Sequence, residues 1–258
     1  MLRFRSLGSG SAGNATLVEA RAGTTVTRLL IDCGLGLRQL DARLAQAGLS
    51  AADLDGLFIT HEHGDHIGSA RALALREGLP IWMSRGTHDA LDAPDFAGLL
   101  RRARDTETIA LGDLEIRPFT VPHDAREPLQ LTCTDGASRL GVLTDLGHAT
   151  PHLTDALTGC HALLLECNHD PALLAASRYP AFLKQRVGGP QGHLSNASAA
   201  ALLDRLRHPG LRHVVAAHLS EQNNRPALAQ SALALVLGCR AEEIAVADAV
   251  SGCAWLGI

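Results

Sequence analysis

The segment Thr60-His61-Glu62-His63-Gly64-Asp65-His66 puts three imidazoles and the Asp65 carboxylate within six residues. These are the nitrogen and oxygen donors that Zn²⁺, Mn²⁺ and Fe²⁺ prefer. In a chain with 13 histidines, the pattern HxHxDH is expected by accident only about 0.002 times. His61 and His63 alternate, so an extended backbone points both to one side. Asp65 and His66 are adjacent and must diverge, which lets them face a second ion, and Gly64 keeps the turn free of side-chain bulk. Two neighbouring ions need further donors from elsewhere in the chain. His123, Asp145 and His218 are the natural suppliers, and Asp145 has two oxygens with which to bridge.

These residues share a setting. Asp32 follows the run LLI, His61 follows LFIT, His123 follows FTVP, Asp145 follows GVLT, Glu166 closes ALLL, and His218 follows VVAA. In an α/β protein such strand ends open onto one edge, where ligand sites form. Strands are expected at Leu2–Leu7, Ala15–Glu19, Val26–Ile31, Leu57–Thr60, Leu79–Trp82, Leu114–Val121, Leu129–Thr134, Leu140–Thr144, Ala162–Glu166, Leu211–Ala217 and Ile244–Ala247. Helices are expected at Leu37–Ala47, Ile67–Glu77, Ser195–Leu206 and Pro226–Leu237, the third capped by Ser195 or Asn196. Many strands with interspersed helices predict two sheets with helices outside them.

Composition narrows the partners. The chain has 258 residues and 46% apolar content, ample for a self-sufficient core and too apolar for a disordered chain. No linker or low-complexity tract divides it, so a single domain over residues 1–258 is expected. With 23 basic residues against 27 acidic ones, a nucleic-acid partner must be held by a local basic patch or by metal ions. Six scattered cysteines without a CxxC pair, no signal-peptide core and no long apolar run predict a reduced, cytoplasmic protein with no membrane contact.

THEHGDH resembles the signature of the metallo-β-lactamase superfamily, whose fold is a four-layer αββα sandwich of two mixed sheets with a binuclear site at one edge. The resemblance extends over nearly the whole chain. It implies that His61, His63 and His123 bind one divalent ion, that Asp65, His66 and His218 bind the other, and that Asp145 lies between them. Asp32 would be the acid that orients ligand histidines. SLGSGSAGNATLV, LTDLGH, LLLECNHD, LKQRVGGPQGHLSN and AAHLSEQNN together resemble the WalJ/YycJ group, whose members are described as 5′-to-3′ exonucleases of double-stranded DNA. GHLSN also resembles a segment of the RNase Z branch in which a histidine and a glutamate act as proton donor. The corresponding residues are His193 and Glu166.

The expected function is therefore metal-dependent phosphodiester hydrolysis, with DNA as substrate and two ions of Zn²⁺, Mn²⁺ or Fe²⁺ as cofactors. Asp65 would orient the attacking water, and His193 held by Glu166 would protonate the leaving oxygen. The glycine-rich turn Gly8–Asn14 offers Ser11 and Asn14 as phosphate contacts, a plain β-turn being the alternative. Lys184, the only lysine, and Arg186 are further phosphate contacts on this reading. The same cage also suits a small-molecule cyclic phosphodiesterase or a lactone or thioester hydrolase. Oligomeric state, monomer or homodimer, is left open.

Overall fold

A computed structural model describes all 258 residues. The first sheet contains β1 (Leu2–Gly8), β2 (Ala15–Ala22), β3 (Thr25–Ile31), β4 (Gly56–Phe58), β5 (Ile81–Met83) and β6 (Leu100–Arg102). The second contains β7 (Ile109–Leu111), β8 (Leu114–Thr120), β9 (Leu129–Thr134), β10 (Arg139–Leu143), β11 (Ala162–Glu166), β12 (His213–Ala217) and β13 (Ala245–Val246). The last strand, β14 (Leu256–Gly257), returns to pair antiparallel with β1. Both sheets are mixed. The β1–β3 ribbon is antiparallel and continues parallel through β4, β5 and β6. In the second sheet β7 to β10 are antiparallel, and β10 to β13 are parallel.

Strand alternation builds the layers. Leu29 and Ile31 face the core between the sheets with Phe58, Leu131, Val142 and Leu164. Leu30, between them, faces the opposite way with Leu17 and Leu57, against α1 (Leu37–Gln46) and, beyond α2 (Gly64–Ile67), α3 (Ala70–Glu77). The short α4 (Arg85–Ala90) completes this half of the chain. In the second sheet Leu163 and Leu165 face outward. They pack with α5 (Pro151–Leu157) and, past α6 (Pro171–Ala176) and α7 (Ala181–Val187), with α8 (Asn196–Leu206) and α9 (Pro226–Leu237). Strands buried on both faces read as unbroken apolar runs, which is why LLI, ALLL and VVAA stand out. The result is the expected αββα sandwich.

Helix Ile67–Glu77 is the main departure from expectation. The chain forms two pieces, α2 and α3, separated at Gly68. Gly68 has φ 25°, and a Cβ there would lie 2.6 Å from the Cys33 carbonyl oxygen. The break presses the metal-type loop against the segment after β3. Strand β5 begins two residues later than expected, and α4 to α7 were not anticipated. Ser195 caps α8 by accepting from the Ser198 amide. No helix is long and apolar enough to cross a membrane.

Candidate metal centre

Every parallel strand runs toward the same edge. Asp32 follows β3, His61 follows β4, Asp145 follows β10, Glu166 ends β11 and His218 follows β12. His123 arrives from β8 on the same edge. His61, His63 and His123 form one group of donor atoms within 4.8 Å of one another, and Asp65, His66 and His218 form another. His61, His66 and Asp145 converge equally closely and join the two. The backbone is forced to achieve this: Asp32, Asp145 and His218 have φ of 60°, 54° and 53°. Left-handed conformations cost non-glycine residues about 1–3 kcal/mol and persist where the surroundings impose them.

The imidazoles are aimed by their outer nitrogens. His66 Nδ1 lies 2.8 Å from Asp32 Oδ2, and His123 Nδ1 lies 3.0 Å from the Gly192 carbonyl oxygen. His61 Nδ1 is 3.0 Å from Thr60 Oγ1, which itself donates to the Asp32 carboxylate. His218 Nδ1 is 3.1 Å from Glu166 Oε1. Each bond fixes the ring and turns Nε2 inward, the arrangement that holds metal-ligating histidines in place.

Inside the cage the donors crowd against one another. His61 Nε2 is 3.0 Å from His63 Nδ1, which is 3.3 Å from His123 Nε2. His66 Nε2 is 3.0 Å from Asp145 Oδ2 and 3.5 Å from Asp65 Oδ2, and His218 Nε2 is also 3.5 Å from Asp65 Oδ2. Donors held at about 2.0–2.2 Å around one tetrahedral ion stand roughly 3.3–3.6 Å apart. Asp145 Oδ2 and His218 Nε2 are buried, and their contacts at 3.0 and 3.5 Å lack the geometry of a hydrogen bond. Unsatisfied buried polar atoms are rare and require an explanation. A divalent cation satisfies both, so these residues fit one.

Electrostatics agree. Burial works against the charged forms, yet the Asp145 carboxylate lifts the pKa of buried His218 to about 10. Asp145 is held well below the carboxylate range by the His218 and His66 imidazoles. The carboxylates attract positive charge into the cage, and a cation displaces those protons.

Glu166, fully buried, is satisfied on every side. Its Oε1 meets His193 Nδ1 at 2.8 Å and His218 Nδ1 at 3.1 Å. Its Oε2 accepts from the Leu146 and Leu194 amides at 3.0 and 3.1 Å. Burial alone would raise its pKa, but the His193 charge and these donors bring it down to about 2. His193 thus has Nδ1 tied back and Nε2 without a protein partner beside the cavity.

That cavity, about 320 Å³, is lined by His63, Asp65, Asp145, His193 and His218 on its floor and by Ser11, Asp124 and Arg186 at its rim. A larger hollow of about 890 Å³ lies around Arg212 and His213, at the opposite end of β12, with none of the cage residues. Of the four expected phosphate contacts, Ser11 and Arg186 reach the site cavity. Asn14 does not. It is buried under the floor, where its side chain accepts from the Gly10 amide and donates toward the Asp65 carbonyl. Lys184 also stays outside, giving Nζ to the Ala175 carbonyl at 2.6 Å and tying α7 to α6. Two residues escaped the sequence reading. Thr60 links Asp32 to His61, and Asp124 lies 3.4 Å from His123 Nε2 while binding Arg186 Nε at 2.5 Å. Only its place directly after His123 could have signalled Asp124.

A family model described as "Beta-lactamase superfamily domain" matches residues 27–219. The chain is 33% identical to exodeoxyribonuclease YycJ of Bacillus anthracis, covering 92% of this chain and 89% of that protein. It is 31% identical to exodeoxyribonuclease WalJ of Streptococcus pneumoniae, covering 88% and 85%. Among solved structures, the metallo-β-lactamase fold protein YhfI from Bacillus subtilis superposes with TM-score 0.74 at 17% identity over 100% of both chains. Sheet order, convergent cage and relatives agree: the chain belongs to the metallo-β-lactamase superfamily of metal-dependent hydrolases.

Proposed function

We propose that the protein is a phosphodiester hydrolase that removes nucleotides from DNA ends, a 5′-to-3′ exonuclease using two divalent ions. The observation that carries this reading is the pairing of an unsatisfied cage, Asp145 Oδ2 and His218 Nε2 above all, with a histidine–glutamate dyad beside it. The names of the relatives at 33% and 31% identity supply the substrate class.

His61, His63 and His123 would hold one ion, Asp65, His66 and His218 the other, and Asp145 would serve both. Bound divalent ions supply Lewis acidity, neutralising phosphate charge and lowering the pKa of water to about 7. The nitrogen-rich set suits Zn²⁺, and the carboxylates beside a phosphate suit Mn²⁺. Asp65 accepts a hydrogen bond from the attacking water and so aims its lone pair. Asp32 acts through His66, holding Nδ1 so that Nε2 keeps its direction. His193, positioned by Glu166, delivers a proton from Nε2 to the leaving oxygen. Ser11 and Arg186 at the rim contact the phosphate. The whole chain, residues 1–258, acts as one unit. Six unpaired cysteines, four of them buried, support a reducing cytoplasmic setting.

The test is to incubate the purified protein with Mn²⁺ and 5′-phosphorylated duplex DNA, and separately with bis(p-nitrophenyl) phosphate, a lactone and a thioester. Stepwise mononucleotide release from 5′ ends is the expected result. Turnover of lactone or thioester without nucleotide release would replace the nuclease reading.

A further inference from the structure

The segment from Ser177 to Val187 differs from the rest of the surface in three independent ways. Its helix, α7, buries no residue, yet Leu183, Arg186 and Val187 form one wall of the site cavity. Of the five phenylalanines, four are buried, whereas Phe182 is 70% exposed. Finally, no acid occurs between Asp170 and Asp204, the longest acid-free stretch of an otherwise acidic chain, and Arg178, Lys184 and Arg186 fall within it.

Geometry links these features. Phe182 and Arg186 are separated by one helical turn, so they stand side by side on one stripe of α7. That stripe borders the arc formed by Leu183 and Val187, so Phe182, which does not itself line the cavity, stands one turn from Arg186 just outside it. Arg186 is held through Nε by Asp124, and its two terminal nitrogens have no protein partner. A guanidinium anchored in this way presents its remaining donors in a fixed fork, suited to phosphate. An exposed aromatic beside such a fork matches the elements of single-strand recognition, a π-face for a base and a cation for its phosphate.

We propose that Phe182 and Arg186 form a strand-end subsite, in which Phe182 stacks on a base and Arg186, positioned by Asp124, holds the adjoining phosphate. The subsite rests on the phosphodiesterase reading for its orientation toward the cage. It also addresses substrate form. A cavity of about 320 Å³ lies at the small end of ligand pockets, so what enters is the terminal nucleotide of one strand. The duplex end must therefore open before cleavage, and base stacking on Phe182 offsets the lost pairing.

The experiment is a binding titration of the whole protein in Ca²⁺. The probe is a 5′-phosphorylated single-stranded oligonucleotide carrying 2-aminopurine near its 5′ end and phosphorothioates at its first linkages. Stacking quenches 2-aminopurine fluorescence. Phe182→Ala should abolish the quenching and weaken binding about 5- to 150-fold, whereas Phe182→Trp should restore both. Arg186→Gln should weaken binding and flatten its salt dependence by about one phosphate contact. Thermal melting of each variant establishes that it is folded. Wild-type affinity and quenching in folded Phe182→Ala would overturn the subsite. The two readings fail separately: Phe182-dependent quenching without any DNA hydrolysis sinks the exonuclease and leaves the subsite standing. DNA hydrolysis with an unchanged KM in Phe182→Ala does the reverse.

Discussion

Two buried carboxylate clusters lie in the same fold, and only one is a candidate site. On β2, Glu19 is fully buried and faces three arginines. Arg3 Nε and Arg21 Nε reach its Oε1 at 2.7 and 2.8 Å, and Arg28 Nε reaches Oε2 at 2.8 Å. Arg3 and Arg28 lie directly opposite Glu19 in the strand register, and the Arg3 guanidinium sits 4.2 Å from the centre of the Trp255 ring. Every partner that Glu19 needs comes from the protein. Asp145 is equally buried, yet one of its oxygens has no hydrogen bond and its backbone is left-handed. Burying a charge is tolerable only when its partners are supplied. Glu19 is complete and adds stability; Asp145 is incomplete, as a cation ligand would be. The distinction lies in whether the donors are exhausted, and it can be broken by mutation.

Asp145→Asn should produce the largest effect. Divalent-ion content by elemental analysis should fall, and phosphodiesterase activity should drop on the order of 10⁴-fold, about 5 kcal/mol in the barrier. Stability of the metal-free protein should fall at pH 7, because the attraction of the His66 and His218 imidazoles for the ionised acid is lost. Loss of stability with divalent-ion content unchanged would place Asp145 in the same class as Glu19. Next in size is His193→Ala, which leaves the cage donors intact. Bound metal should stay at the wild-type level while kcat falls on the order of 10²–10³-fold. If metal content fell in parallel, His193 would be holding an ion rather than moving a proton.

The incomplete cluster was the legible one. HxHxDH is local in sequence, and the apolar strands mark their own ends, so Asp32, His123, Asp145, Glu166 and His218 stand out in the sequence. The complete cluster was invisible, because the meeting of Arg3, Glu19 and Arg28 depends on a cross-strand register that no local pattern states. The same limit hid the ion pair of Asp124 with Arg186, which joins the loop after β8 to helix α7, 62 residues further on. Asn14 was misplaced for a related reason. Its glycine-rich setting suits a turn, and only tertiary packing shows its amide turned inward onto the Asp65 backbone. Helices α4 to α7 have six or seven residues each, too short for a periodic apolar face. Their signals were the caps: Ser84, Thr150 before Pro151, and Asp170 before Pro171.

Glu19→Gln gives the smallest effect and the sharpest control. Folding should weaken by about 2–3 kcal/mol at pH 7, the scale of lost hydrogen bonds to a charged group, with activity per folded molecule unchanged. The pH dependence separates charge from shape. Burial opposes ionisation of Glu19, but its arginine hydrogen bonds hold its pKa down at about 2, against an ordinary value of 4.5. A depressed carboxylate pKa means that the unfolded chain takes up the proton first. The contribution is therefore complete above about pH 4.5 and is lost progressively as pH falls toward 2. Denaturant unfolding of wild type and Glu19→Gln at pH 7, 4 and 3 should show a gap that narrows with acid. A gap that stayed constant would mean that Glu19 contributes by filling space. The comparison with Asp145 would then lose its electrostatic basis, since the two acids would differ in packing and not in whether their charge is matched.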